Sequence, residues 1–110
     1  MKKKNYNIPV RSKYPVKLIK EGKNFKCEYA GTDALALCSA SLKKLAEEIK
    51  TGESRQDNVN ALVNLIEMSL HVARLLGMTS TELKCKVDQA NRVDGDYNDD
   101  IILKWVEENE

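Results

Sequence analysis

The segment from residue 58 to residue 76 is apolar on nearly every side of the helix that its sequence predicts. Its polar residues recur at spacings of four, three, four and three along the chain. Because an α-helix has about 3.6 residues per turn, these spacings place the polar residues on one side, as a single line. We call it the polar line, and its members are Asn60, Asn64, Glu67, His71 and Arg74.

Apolar side chains fill the rest of this predicted helix. They are Val59, Leu62, Val63, Leu65, Ile66, Met68, Leu70, Val72, Ala73, Leu75 and Leu76. A surface helix of a small domain normally has one apolar stripe and a broad polar face, which is the opposite ratio. We therefore expect a central helix that is packed on several sides or shared with a second subunit. The polar line then faces either a strip of solvent or a binding site.

Size and composition bound the class of protein. The chain has 110 residues, 42% hydrophobic and 32% charged, with a formal net charge of +1. These values describe one soluble globular domain and give no reason to expect a membrane or a specific nucleic acid as partner. One histidine and three cysteines without metal-ligand spacing argue against a zinc site. In the absence of a signal peptide or membrane-spanning pattern, the sequence predicts a cytoplasmic protein.

Residues 1–30 are predicted to form an irregular, basic N-terminal arm. The arm contains both prolines and shows no helical period. Its lysines and Arg11 indicate a solvated segment. Polar and apolar residues alternate over residues 25–29, which predicts a short extended piece.

Residues 31–110 are predicted to form the helical domain. Thr32 and Asp33 supply start signals for a first helix, and Gly52, after Thr51, is suited to end it. The apolar stripe of this helix recurs at three- and four-residue steps. It consists of Leu35, Cys38, Leu42, Leu45 and Ile49.

The central helix is expected to stop at Gly77, and a third helix follows it. Thr79 and Glu82 form a capping box, in which Thr79 accepts from the third backbone amide and Glu82 reaches back. This helix is predicted to end near Arg92. The apolar residues of the segment 101–106 predict a docked strand-like or helical piece, with Trp105 as a core or dimer-interface anchor.

Three helices of this length, one of them apolar all round, predict an all-α fold. We expect a helical bundle of three main helices that dimerises through its helices to bury its surplus apolar surface.

Several short segments, in this order along the chain, resemble a known family. They are residues 17–23 (KLIKEGK), 42–48 (LKKLAEE), 64–77 (NLIEMSLHVARLLG), 90–92 (ANR), 95–97 (GDY) and 101–103 (IIL). Together they are similar to the MazG-like, all-α nucleotide pyrophosphohydrolases, including the branch similar to phosphoribosyl-ATP pyrophosphohydrolase. Residues 64–77 resemble that family's second metal-binding helix, and 42–48 resemble the helix that supplies its first acids.

The resemblance implies a magnesium-dependent hydrolase that converts a nucleotide to its monophosphate and pyrophosphate. Magnesium prefers oxygen ligands and bridges substrate phosphates. The implied metal ligands are Glu47, Glu48, Asn64 and Glu67, and the implied catalytic residues are Glu48 and Glu67. The implied substrate-binding residues are Lys86, Asn91, Arg92 and Tyr97. The family also implies a homodimer or homotetramer.

Three positions at which the family carries a metal-binding acid hold other residues in this chain. They are Thr51, Ala61 and Asn64. A second hypothesis is therefore a catalytically inactive helical homo-oligomer that binds a nucleotide or a protein, and a third is a pure interaction module. Each implied site residue also has a structural interpretation. A lone histidine such as His71 on a largely apolar helix is more often a hydrogen-bonded structural residue than a general base.

Overall fold

The computed structural model describes residues 2–108 and is all-α, as the sequence predicts. Within this range it contains no β-strand and four α-helices: α1 (Tyr14–Lys20), α2 (Ala34–Glu47), α3 (Arg55–Leu75) and α4 (Ser80–Asp94). A 3₁₀ turn, Gly31–Asp33, leads into α2. The three helices expected from the sequence correspond to α2, α3 and α4.

The basic arm is not wholly irregular, because it contains α1. Pro15 stands in the first turn of this helix, where its missing N–H removes no helical hydrogen bond. Seven residues make barely two turns, too few for an apolar period to mark the helix in the sequence. Residues 25–29 form no strand. In the described part of the chain, α1 packs against no other helix.

Helices α2 and α3 form a hairpin and are the main packing pair. The loop between them is fastened by Asn58, in the first turn of α3. The Lys50 backbone N–H donates to Asn58 Oδ1 at 3.0 Å, and Asn58 Nδ2 donates to the Lys50 carbonyl at 3.0 Å. Because Asn58 takes up these backbone groups, α2 ends at Glu47, before the predicted stop at residues 51–52. Gly52 instead lies within the loop, with φ +94°.

Helix α3 begins at Arg55, three residues before the apolar segment that announced it. Ser54 is its N-cap, and the Ser54 hydroxyl oxygen accepts from the Asp57 backbone N–H at 3.1 Å. The first turn is polar and exposed, so the apolar period does not mark it.

The C-terminal end of α3 confirms the predicted stop at Gly77. The Gly77 N–H donates to the Arg74 carbonyl and the Met78 N–H to the Ala73 carbonyl, both at 2.9 Å. Gly77 has φ +79°, so these bonds form a Schellman cap that requires a left-handed residue. The chain bends by 107° here before α4 begins.

The predicted capping box at the start of α4 is half present. Thr79 Oγ1 accepts from the Glu82 backbone N–H at 3.1 Å, as expected. The Glu82 carboxylate accepts from the Thr79 hydroxyl at 3.3 Å instead of reaching back to the Thr79 backbone N–H. The helix continues two residues beyond Arg92 and ends at Asp94, followed by Gly95 with φ +86°.

The core of the single chain is small. Among the described residues, only Cys38, Ala61 and Ala73 are buried, all of them at the contact between α2 and α3 or beside it. Helix α3 is central, but it is not packed on all its apolar sides within one chain. Val63 and Ile66 are 47% and 50% exposed.

The segment 101–106 does not dock on the helices, which corrects the sequence prediction. It has no regular secondary structure, and its apolar side chains are all exposed. Trp105 is 76% exposed and is therefore not a core residue of this chain. Helix α4, which precedes the segment, contains no buried residue, so it offers no apolar groove to receive these side chains.

The chain is extended for its length. Its radius of gyration is 18.6 Å and its extents are 59 × 37 × 33 Å. A compact domain of this length has a radius of gyration of about 13 Å. The accessible surface is 10464 Å², whereas a compact monomer of this mass exposes about 6,100 Å².

Among the described residues, no single helix is long and apolar enough to cross a membrane. Helices α3 and α4 meet that criterion only when they are counted together, across the bend of 107° between them.

Candidate functional site: an arginine clamp on the central helix

The polar line of α3 is bonded to the N-terminal arm through Arg11. Arg11 Nη1 donates to Glu67 Oε2 at 2.5 Å, and Arg11 Nη2 donates to Glu67 Oε1 at 3.0 Å. Arg11 Nη2 also donates to Asn64 Oδ1 at 2.5 Å. We call these three residues the arginine clamp. It joins residues 56 and 53 positions apart in sequence.

The helical spacing of Asn64 and Glu67 makes the clamp. Residues three apart lie side by side on an α-helix, so the amide oxygen and the carboxylate face the same guanidinium. The planar fork of arginine donates two parallel hydrogen bonds to one carboxylate, a geometry that lysine does not reproduce. The clamp therefore selects Arg11 over the four lysines around it in residues 2–13.

The electrostatics of the clamp follow from this geometry. The hydrogen bond from Arg11 lowers the pKa of Glu67 below its ordinary value of 4.5; partial desolvation opposes this shift, and the positive charge of Arg11 adds to it. The same hydrogen bond raises the pKa of Arg11. Both side chains are more than half exposed, so solvent screens the pair and the clamp is a weak, reversible tether.

The other members of the polar line do not extend the clamp. The Asn60 Oδ1 accepts from Gln56 Nε2 at 3.0 Å, a bond within the first turns of α3. His71 is half-buried and Arg74 is exposed. The polar line is therefore a local tether at its centre, with separate polar residues on either side of it.

The predicted metal ligands fall in two groups. Glu47 and Glu48 are exposed at the C-terminal end of α2, beside the loop that is fastened to Asn58. At a rise of about 1.5 Å per residue, Asn64 lies about 9 Å and Glu67 about 13 Å further along α3 than Asn58. Helix α3 thus carries the second pair away from the first.

The donor set, as placed, does not fit a magnesium ion. Within residues 2–108, no three His, Cys, Asp or Glu side chains lie close enough together to hold a metal ion. Asn64 and Glu67 direct their oxygens at a guanidinium, which excludes a cation from the same lone pairs. Magnesium requires several oxygen ligands around one point. Magnesium binding and catalysis by Glu48 and Glu67 stay predictions.

The predicted substrate-binding residues do not share one face. Lys86, Asn91 and Arg92 are exposed on α4. At about 100° per residue, Asn91 is rotated by about 140° from Lys86, and Arg92 by about 240°. Tyr97 lies beyond α4 and is almost fully exposed. Contacts of these side chains with a substrate stay predictions.

The best-formed concavity lies at the loop end of the α2–α3 hairpin. It is an open groove of about 460 Å³, lined by Ile49, Glu53, Arg55, Asn58, Val59 and Leu62. The family resemblance did not point to this groove. Its apolar floor and single arginine bring together no nucleophile, acid or base in a reactive arrangement.

Comparisons with protein-family models, with curated proteins and with solved structures found no significant match to this chain. The family resemblance therefore stays an expectation, and function has to be argued from the structure itself.

Sequence reasoning missed Arg11 as a functional residue, although a signal was present. A carboxylate and an amide three residues apart, on a helix that is otherwise apolar, require a donor with more than one N–H. Arg11 is the only arginine in the first 30 residues. No local pattern, however, specifies which of the four arginines would reach Glu67.

Proposed function

We propose that this chain is a non-catalytic, self-associating helical module, in which two copies pair through α3. One observation carries the proposal: the single chain exposes about 4,000 Å² more surface than a compact monomer of its mass. A stable protein interface needs about 800 Å² from each partner. The excess is several times that area, so the extended arm and tail can account for much of it and still leave a full interface.

The exposed side of α3 has the pattern of a helix–helix seam. Val59, Val63, Ile66 and Leu70 follow one another at spacings of four, three and four. This is the repeat that keeps one apolar stripe facing a partner helix in coiled coils and four-helix bundles. All four are half-buried or exposed in the single chain. We call this stripe the α3 seam.

A second copy is the partner that this seam favours. Soluble oligomers are most often symmetric homodimers, and a two-fold axis places the same stripe on both sides of the interface. Two α2–α3 hairpins paired in this way make a four-helix bundle, which buries α3 on the sides that one chain leaves open. The notebook of residues on the seam contains no charged side chain, so no ion is buried in the pairing.

The test is the oligomeric state of an Ile66→Lys variant in sedimentation velocity. Lysine at the centre of the seam buries an unpaired charge, and we expect the dissociation constant to rise at least about 30-fold. Val87→Lys is the matched control, because Val87 is 51% exposed on α4 and lies outside the seam. Circular dichroism establishes that both variants keep their helices. A wild-type chain that is monomeric at micromolar concentration, or equal losses in both variants, would contradict the proposal.

Nucleotide pyrophosphohydrolysis is the second candidate, and one observation favours it. Helices α2 and α3 are the main packing pair, as the resemblance requires of the two helices that carry its acids. The arginine clamp weighs against it, because Arg11 takes up the oxygens of Glu67 and Asn64. Pyrophosphate release from a panel of nucleoside triphosphates with magnesium tests it. Activity that disappears in Glu48→Gln would support hydrolysis, and activity equal to that of Glu48→Gln would exclude it.

A further inference from the structure

Two exposed segments of this chain are complementary in charge and pattern. The first is the arm, residues 2–13, which has five basic residues and no acidic one. The second is the tail, residues 96–108, which has five acidic residues and one lysine. Apart from α1, which begins at the edge of the arm, neither segment has regular secondary structure. Opposite net charge is the first reason to consider them as partners.

The order of charged and apolar residues matches as well. In the arm, three apolar residues stand between Lys4 and Arg11 at alternate positions: Tyr6, Ile8 and Val10. In the tail, three apolar residues stand between Asp100 and Glu107 at alternate positions: Ile101, Leu103 and Trp105. The flanking charges are seven residues apart in both segments. Two extended segments laid side by side would therefore place apolar residues against apolar residues and opposite charges at both ends.

The apolar residues of both segments are unburied in the single chain. Tyr6, Ile8 and Val10 are exposed, and so are the three alternating residues of the tail. Six exposed apolar side chains in two short segments form a larger apolar surface than a soluble monomer normally leaves in water.

The two segments do not meet within one chain. The ion pairs among the described residues are Arg11–Glu67, Lys26–Glu28 and Lys84–Asp88, and none of them joins the arm to the tail. The clamp holds the arm at the middle of α3. The 107° bend after α3 turns α4, and the tail behind it, away from that helix.

We propose that the arm of one copy pairs with the tail of a second copy. The pairing is a contact between copies in addition to the α3 seam, and it uses different residues. Its occupant is the same chain, since the complementary charge and apolar spacing are both present in this sequence. Pro9 lacks a backbone N–H, so the arm forms an edge of such a pair and does not invite a third strand.

Charge-reversed variants of the full chain test this pairing. The arm variant carries Lys2→Glu, Lys3→Glu and Lys4→Glu, and the tail variant carries Asp99→Lys and Asp100→Lys. Each variant alone has an arm and a tail of the same sign at that end, so pairing weakens in both. In an equimolar mixture, the acidic arm of one variant faces the basic tail of the other, and the native arm faces the native tail. Mixing therefore restores pairing only if it occurs between molecules.

The fluorescence of Trp105 reports the tail directly, since this is the only tryptophan in the chain. We expect the wild-type emission to lie at shorter wavelength than that of either variant, and the mixture to return to the wild-type value. Several exposed ion pairs together are worth about tenfold in affinity, and the difference should shrink in high salt. Ile66→Lys separates this contact from the α3 seam, because that substitution disrupts the seam without touching the arm or the tail.

Two results would overturn the proposal. If the Trp105 emission is the same in the wild type and both variants, the arm does not contact the tail. If a chain carrying both reversals recovers the wild-type emission while the mixture does not, the pairing is within one molecule.

Discussion

The left-handed cap at Gly77 allows the sharpest test of the local structure. Gly77 has φ +79°, and its N–H and that of Met78 close the end of α3. An alanine at this position would place its Cβ where nothing lies within 4 Å, so no clash contributes. The cost of Gly77→Ala is therefore purely that of holding a residue with a Cβ in the left-handed conformation.

The size of this effect follows from two opposing terms. A left-handed conformation costs a residue other than glycine about 1–2 kcal/mol. Alanine also restricts the unfolded chain, which returns about 0.4–1 kcal/mol. We expect Gly77→Ala to lower the free energy of unfolding by about 1 kcal/mol. For a chain of this length, that corresponds to a fall in Tm of about 4 °C.

The assay is urea unfolding followed by far-UV circular dichroism at one fixed protein concentration, since self-association makes stability depend on concentration. Gly77→Asn is the matched control, because asparagine tolerates the left-handed conformation better than alanine does. We expect Asn to cost less than Ala, although it is larger. If Gly77→Ala were neutral or stabilising, or if Asn cost more than Ala, the left-handed cap would be the wrong explanation for the end of α3.

Three further predictions concern the cap, the clamp and the core. Ser54→Ala removes the acceptor for the first turn of α3 and should lower the free energy of unfolding by about 1 kcal/mol in the same urea assay; no change would argue against the cap. The pKa of Glu67 is lowered in the folded chain, so the clamp contributes fully above pH 4.5 and is lost as the pH falls through the lower folded value. The NMR signal of the Arg11 side chain should shift over that acidic range in the wild type and not in Glu67→Gln, and a signal indifferent to pH would contradict the clamp. Cys38 is buried and the other two cysteines are exposed, so a thiol reagent should modify two thiols quickly and the third only on unfolding; three equally fast thiols would contradict the α2–α3 packing.

Features that depend on neighbouring residues were predictable from the sequence. The stop at Gly77 and the cap at Thr79 each rest on residues within a few positions, and both are present. The all-α class follows from apolar periods of the same short range. The end of α2 was misplaced because it depends on a side chain eight residues away, Asn58, that takes up the backbone groups of Lys50.

Features that depend on distant residues were not predictable in this way. The short helix α1 has too few turns to show a period. The apolar excess of α3 correctly indicated a central helix, but a pattern on one chain does not specify whether its partner is the same chain or a second copy. The segment 101–106 was expected to dock for the same reason, and it finds no apolar groove within the described chain.

The polar line shows how a non-local contact changes the interpretation of a local pattern. From sequence, its polar residues face either solvent or a ligand, and the resemblance favoured a metal. The structure provides a third answer at the centre of the line, because the arm supplies Arg11 as the charge partner of Glu67 and Asn64. A cation is present at these oxygens, but it belongs to the chain. Since the clamp fixes the arm at one point and leaves its apolar residues in water, the same contact that argues against a magnesium site also presents the arm to a second molecule.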